Sequence, residues 1–157
     1  MADVKHTSGY FTNSDIDWFC RINGVNVHFA SMGRKIPDIV MNSLPKVYEV
    51  VSKIEMARWQ GSQGVWYNEG IVKEWLHIEN DYKIARYLYT FVVMARKGFY
   101  SFAPITFDST DFGYYLMAKP MEYKDLIIEG IQSIENPSLR LSEIDAYTAL
   151  NIKHLFE

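Results

Sequence analysis

The feature that most constrains the fold is the pair Asn23-Gly24, which separates two short runs of alternating apolar and polar residues. A two-residue type I′ turn needs positive φ at both central positions, and Asn followed by Gly tolerates this best. The sequence therefore predicts a β-hairpin over residues 16–30. Because an isolated hairpin is only marginally stable, we expect it to join a larger sheet or to pack on a helix.

The turn also determines which side chains share a face of the hairpin. With Asn23 and Gly24 as the loop, one face is wholly apolar and consists of Trp18, Cys20, Ile22, Val25, Val27 and Phe29. The opposite face carries Asp17, Phe19, Arg21, Asn26 and His28. Side chains alternate along a strand, so a slip of one residue would turn the whole apolar set towards water. The pattern therefore predicts the pairing register and places Cys20 in the core as a small apolar side chain.

Apolar residues at helical spacing predict four helices, over residues 45–58, 71–79, 121–135 and 143–156. Residues 71–79 are also open to a strand, but their alternate positions make no clean strand face, so we predict the helix. Pro45 suits the first turn of the first helix. Asn136-Pro137 stops the third, and Ser142 suits the cap of the fourth.

Residues 81–97 are open to two interpretations. A run that begins at Tyr87 is rich in residues that favour β-structure. The boundary signals favour a helix instead, because Asn80 or Asp81 suits an N-cap and Gly98 suits a left-handed C-cap. We predict a helix here and keep the strand as the alternative.

Two further strands are predicted over residues 99–107 and 112–118, joined by a turn at residues 108–111. A short extended piece over residues 65–68 lies within the irregular 59–70 loop. Strands in adjacent pairs and helices in groups are typical of an α+β fold. We therefore predict an antiparallel sheet of about four strands, in two hairpins, packed against four to five helices. The 157 residues suit one domain, so we predict a single α+β domain over residues 1–157 with a loose N-terminal arm at residues 1–14.

Charge and cysteine content narrow the classes of partner. The formal net charge of −3 argues against a protein that grips nucleic acid through clustered Lys and Arg. The single cysteine excludes an intramolecular disulfide and a zinc site built from cysteines. No apolar run matches a membrane span or a secretory signal. We expect a soluble, cytoplasmic protein that binds neither nucleic acid nor membrane.

The sequence carries no recognisable catalytic or cofactor motif. Glu74 and His77 have the spacing used in di-iron bundles, but such a site needs a second pair of this kind and two more glutamates. We therefore predict no metal and no cofactor.

Two groups of residues are candidates for ligand binding. Asp17, Arg21 and His28 share the polar face of the hairpin, where they suit an anion or acid-base chemistry. The alternative is an ordinary solvated face with weak cross-strand pairs. The 59–70 loop adds Trp59, Trp66 and Tyr67, set among three glycines. Such a loop suits the cover of a pocket, and the alternative is that its aromatic rings belong to the core.

Aromatic residues make up 15% of the chain, a high share that suits interfaces and ligand pockets alike. The first hypothesis is a non-catalytic interaction module that binds another protein or self-associates, most simply as a homodimer. The second is a small-molecule-binding protein or enzyme whose site lies between the 16–30 hairpin and the 59–70 loop. An exposed aromatic surface favours the first hypothesis, and a pocket with convergent polar groups favours the second.

Overall fold

The computed structural model describes residues 16–32, 36, 37, 40, 42, 44–56, 64–105, 112–123 and 127–155. The helices within these ranges are α1 (Leu44–Glu55), α2 (Glu69–Glu74) and α3 (Asp81–Arg96). The strands are β1 (Asp17–Ile22), β2 (Val25–Ala30), β3 (Val65–Tyr67), β4 (Tyr100–Ala103), β5 (Gly113–Pro120), β6 (Gln132–Ile134) and β7 (Leu150–Asn151). Two short 3₁₀ helices span Leu141–Glu143 and Ile152–His154. The arm predicted at residues 1–14 and the turn predicted at 108–111 lie outside the described residues.

All seven strands belong to one sheet with the order β3-β5-β4-β2-β1-β6, and β7 pairs with β5. The β1–β2, β3–β5, β4–β5 and β5–β7 pairs are antiparallel. The β2–β4 and β1–β6 pairs are parallel. The sheet is therefore mixed, and the β1–β2 hairpin lies in its interior.

The predicted fold, an antiparallel sheet of about four strands with four to five helices, is wrong. The described part of the chain forms a mixed seven-stranded sheet and three helices, of which only α1 and α3 are longer than two turns. The difference arises mainly in the C-terminal third, where two predicted helices are replaced by short strands and turns.

The helix predicted over residues 121–135 is absent from the described part of that range. Residues 132–134 form β6 instead and pair with β1 in parallel. Gly130 has φ +90°, a conformation that an α-helix does not contain. The backbone N–H of Asn23 donates to the carbonyl of Ile134 at 2.9 Å, and the Asn23 amide donates to the carbonyls of Asn136 and Leu139. The hairpin tip thus supplies long-range hydrogen bonds that replace those of a helix.

The helix predicted over residues 143–156 is also wrong for the residues described there. The Asp145 carboxylate accepts a hydrogen bond from the Tyr147 backbone N–H, and the Asn151 amide oxygen accepts one from Lys153 N–H. Such side-chain bonds to a nearby backbone favour turns over helix. Three apolar residues of this range, Leu150, Ile152 and Leu155, are buried, but they reach the core from β7 and a 3₁₀ turn. Tyr147, which the helical spacing also placed on the apolar side, is 41% exposed.

The hairpin prediction is confirmed. Asn23 and Gly24 have φ of 50° and 83°, as a type I′ turn requires. The register pairs Trp18 with Phe29, Cys20 with Val27 and Ile22 with Val25. The opposite face is buried too, and Phe19 and His28 are both inaccessible or nearly so. The reason is that helices cover this second face, so the hairpin has two buried sides.

The helix predicted over residues 81–97 is confirmed as α3, with the predicted caps. The Asn80 side chain accepts a hydrogen bond from Lys83 N–H at 3.2 Å. At the other end Gly98 has φ +100°, and Phe99 N–H donates to the Met94 carbonyl at 3.0 Å. This is the hydrogen-bond pattern of a glycine C-cap. The strand alternative for this segment is thereby excluded.

The remaining early elements follow the prediction in outline. Helix α1 occupies most of the predicted range 45–58, and β3 occupies most of 65–68. Helix α2 begins at Glu69 and ends at Glu74, which is shorter than the predicted 71–79. Its cap is the buried Asn68, whose side chain accepts from Ile71 N–H and donates to the carbonyls of Leu116 and Ala146.

The sheet has apolar clusters on both faces. One face, which carries Trp18 and Phe29, packs against residues such as Leu141, Ile152 and Leu155 of the C-terminal segment. The other face packs against the apolar sides of α2 and α3. Where the hairpin forms this face, it packs against α1. The ammonium group of Lys97, just after α3, donates to the carbonyls of Ile54 and Glu55 at the end of α1 and so joins these two helices.

Candidate functional site

The polar face of the hairpin contains a hydrogen-bonded row of three side chains, which we call the polar row: Asp17, His28 and Ser101. His28 Nε2 lies 2.8 Å from Asp17 Oδ1, and His28 Nδ1 lies 2.7 Å from Ser101 Oγ. In the neutral imidazole, a proton on Nε2 is donated to the carboxylate and Nδ1 accepts from the Ser101 hydroxyl. The three residues come from β1, β2 and β4, and the parallel β2–β4 pairing sets His28 beside Ser101.

The polar row has the residue types of a catalytic triad, but the solvent exposure of its serine and its carboxylate is the reverse of that in a triad. Ser101 and His28 are fully buried, whereas the Asp17 side chain is 44% exposed. A serine nucleophile must meet a substrate, and its carboxylate partner is usually the buried member. The His28 ring also packs on the ring of Phe19, with centroids 5.0 Å apart. The arrangement satisfies buried polar atoms and ties three strands together.

The third member of the predicted polar site, Arg21, lies on the same sheet face but outside the polar row. Its guanidinium donates to the side-chain oxygen of the neighbouring Asn26 at 3.2 Å. The two residues are cross-strand partners in the hairpin register. The structure thus brings Asp17 and His28 together and leaves Arg21 with a different partner.

The aromatic residues of the 59–70 loop do not form one surface. Trp66 and Tyr67 are consecutive residues of β3, so their side chains point to opposite faces of the sheet. Trp59 lies outside the described residues. Tyr67, Ala118, Ser101 and His28 are successive partners across four strands. Three strand spacings separate Tyr67 from His28, or about 14 Å.

Trp66 contributes to an aromatic surface that already contains its own cation. The ammonium group of Lys119 lies 5.8 Å from the centre of the Trp66 ring and 5.9 Å from that of Tyr100. The ring of Tyr123 packs beside that of Tyr100. The Tyr123 hydroxyl accepts a hydrogen bond from Asn26 N–H and donates one to the Gly24 carbonyl. Cation–π contacts of this kind link neighbouring strands. Trp66 therefore lies on a surface held together by contacts within the chain.

Tyr67 borders an open groove that runs along α3, which we call the α3 groove. Its volume is about 470 Å³. The buried residues Ile84 and Leu88 lie at the bottom, with Val92 beside them. Tyr67 and Tyr89 stand at the rim and are 44% and 67% exposed. The result is an apolar depression between two exposed phenol rings.

The two ends of the α3 groove carry opposite charge. Asp81 lines the end at the start of α3, and Arg96 lines the end at its C-terminus. Glu69 also lines the groove, but its carboxylate is paired with the ammonium group of Lys73 at 3.3 Å. The stretch between them presents small or apolar side chains, including Ala85 and Val93. A ligand along this groove therefore meets an acidic end, an apolar centre and a basic end.

Sequence reasoning found Tyr67 but missed the rest of the α3 groove and Ser101 of the polar row. The signal for the groove was present, since the lining positions of α3 follow one another at helical spacing between Asp81 and Arg96. What the sequence did not reveal is which stripe of α3 the sheet covers. Ser101 joins the polar row only through the parallel β2–β4 pairing, for which the sequence held no signal.

Over the residues described, no group of three or more His, Cys, Asp and Glu side chains is placed to hold a metal ion. No helix in those ranges combines the length and the apolar character that crossing a bilayer requires. Comparison of the chain with family models, curated proteins and solved structures returned no match.

Proposed function

We propose that this chain is a non-catalytic protein-interaction module that binds its partner in the α3 groove. The observation that carries the proposal is an apolar groove whose rim is formed by two exposed tyrosines. Tyrosine is enriched at the centres of protein interfaces, where it contributes a large rigid area and a hydroxyl.

The groove-lining residues follow α3 from Asp81 to Arg96, an arrangement that suits a helix as the bound element. Helix α3 has 16 residues, which at the standard rise corresponds to about 24 Å. Amphipathic helices dock in such grooves through apolar residues on one face, spaced three or four positions apart. The charges at the ends favour a helix with a cation near Asp81 and an anion near Arg96.

The alternative, a small-molecule or enzymatic site between the hairpin and the 59–70 loop, has weaker support. Of the predicted residues that are described, only Tyr67 lines the α3 groove. The burial of Ser101 and His28 favours a structural role of the polar row.

The free thiol of Cys20 is compatible with the cytoplasm that we propose as the location, where thiols stay reduced.

Selection of displayed helical peptides on the purified protein tests the proposal. We expect peptides selected on the wild type to lose at least about tenfold in affinity for Ala85→Arg, because a long cation at this exposed position fills the groove. The matched control is Thr90→Arg, which adds the same side chain at an exposed position of α3 outside the groove lining. Selected peptides that bind Ala85→Arg as well as the wild type would contradict the proposal.

A further inference from the structure

We infer that the partner in the α3 groove is a second copy of this chain, with the two α3 helices packed antiparallel across a two-fold axis. This inference rests on the proposed function, since it names the occupant of the same groove. It follows from the order of side chains along α3.

The groove-lining stripe of α3 is complementary to itself when reversed. The midpoint of Asp81–Arg96 falls between Leu88 and Tyr89. An antiparallel copy centred there sets Asp81 opposite the second copy's Arg96, and Leu88 opposite the second copy's Tyr89. Both contacts then occur twice, as two-fold symmetry requires.

Charge selects the antiparallel arrangement over the parallel one. In a parallel pair Asp81 would face its own copy and Arg96 would face its own copy, so both ends would repel. In the antiparallel pair each end joins an acid to a base. Asp81 supplies the acidic charge, since the Glu69 carboxylate is paired with Lys73 within the chain at 3.3 Å. Electrostatic complementarity of this kind fixes the orientation of an interface more than its strength.

The apolar centre allows the close approach that this arrangement needs. Packed helices have axes about 8–10 Å apart, depending on the side chains between them. Ala85 then lies opposite the second copy's Val92, which pairs a small side chain with a medium one in the groove. The exposed ring of Tyr89 covers the contact near the axis.

The position of the groove at the sheet edge gives further support. Strand β3 is the last strand in the sheet order on this side, and its residue Tyr67 lines the groove. Proteins usually shorten, charge or cover such edges, since an open edge pairs with other chains. A second copy in the α3 groove covers the residues next to this edge.

The size of the surface predicts a weak dimer. Stable interfaces bury about 1,200–2,000 Å² in total, and one helix face with its rim lies at the lower limit. We therefore expect a reversible dimer with a dissociation constant on the order of micromolar.

Charge reversal tests the arrangement by sedimentation equilibrium of the full chain. Asp81→Arg alone and Arg96→Asp alone should each weaken the dimer by about tenfold, because each converts two attractive contacts into repulsive ones. An equimolar mixture of the two variants should dimerise again. In the mixed dimer the arginine introduced at position 81 of one copy meets the aspartate introduced at position 96 of the other, and the unchanged Arg96 of the first copy meets the unchanged Asp81 of the second.

The matched control for these variants is Lys83→Asp. It is a charge reversal at an exposed position of α3 outside the groove lining, and it should dimerise like the wild type.

The outcomes separate this inference from the proposed function. A wild type that stays monomeric at several hundred micromolar, or a mixture that does not recover, overturns the antiparallel dimer. If peptide binding still depends on Ala85 in that case, the groove remains an interaction site with another partner. If neither the peptides nor dimerisation responds to changes in the groove, both proposals fail.

Discussion

The polar row and the α3 groove lie on the same side of the sheet, yet they differ in every property that matters for binding. The polar row holds an acid, an imidazole and a hydroxyl, and its two inner members are buried and bonded to each other. The α3 groove holds little polar chemistry, but its tyrosines face solvent. The imidazole and hydroxyl therefore lie where no partner reaches them, and the centre of the accessible groove is apolar. Side chains whose contacts are incomplete within the chain are the better guide to a binding site.

The largest expected effect concerns Cys20, on the far face of the same hairpin. Cys20 is 1% exposed, and burial raises the pKa of its thiol. Because only the exposed thiolate reacts, labelling by a thiol reagent should be slower in the folded protein than in urea by roughly a thousandfold or more. Rapid labelling under native conditions would show that the buried hairpin opens readily.

The second prediction removes the centre of the polar row. His28→Ala should lower the free energy of unfolding by about 2–4 kcal/mol, since it deletes a packed ring and leaves the buried Ser101 hydroxyl without this partner. Urea denaturation monitored by tryptophan fluorescence measures the change.

Tyr89→Ala is the control from the open region. Its ring is 67% exposed, so the free energy of unfolding should change by no more than about 0.5 kcal/mol. The same variant should weaken peptide binding or dimerisation. A large loss of stability in Tyr89→Ala, or none in His28→Ala, would reverse the assignment of the two regions.

The smallest expected effect is on the pH dependence of stability and concerns Asp145. Its carboxylate lies at the surface, unlike the buried side chains of the polar row. The Thr148 hydroxyl, and then the Tyr147 N–H, hold the pKa of Asp145 below its usual value. A lowered folded-state pKa stabilises the fold above the unfolded pKa of about 3.9, and this contribution is lost as the pH falls through the folded value. The stability difference between wild type and Thr148→Val should therefore shrink as the pH is lowered from about 5 to about 2. A difference that grows on acidification would contradict this.

Local signals in the sequence predicted the elements whose hydrogen bonds are local. The turn at Asn23-Gly24 specifies its own φ angles, and Asn80 and Gly98 specify both ends of α3. These residues act on neighbours within a few positions, which is why one sequence suffices to interpret them.

The elements that were predicted wrongly depend on distant partners. The apolar spacing of residues 121–135 and 143–156 resembles that of helices, but the buried members of these stretches reach the core from turns and short strands. Backbone pairing with β1 and β5 outweighs helical propensity there, and propensity is a weak term that tertiary contacts override. Ser101 and the α3 side of the groove were missed for the same reason, because the sheet decides which stripe of α3 is covered and whether His28 meets Ser101.

The parallel pairing of β1 with β6 has a consequence for the order in which the chain folds. The Asn23 side chain bonds to Asn136, 113 positions later, so the edge of β1 gains its neighbour only after a very large loop closes. Contacts of such high sequence separation form slowly, and they require the C-terminal residues to have left the ribosome. During synthesis the hairpin therefore presents an uncovered strand edge until residues 132–134 have emerged and paired with β1. Removal of β6 and the residues after it would make this interval permanent and direct the truncated chain towards aggregation.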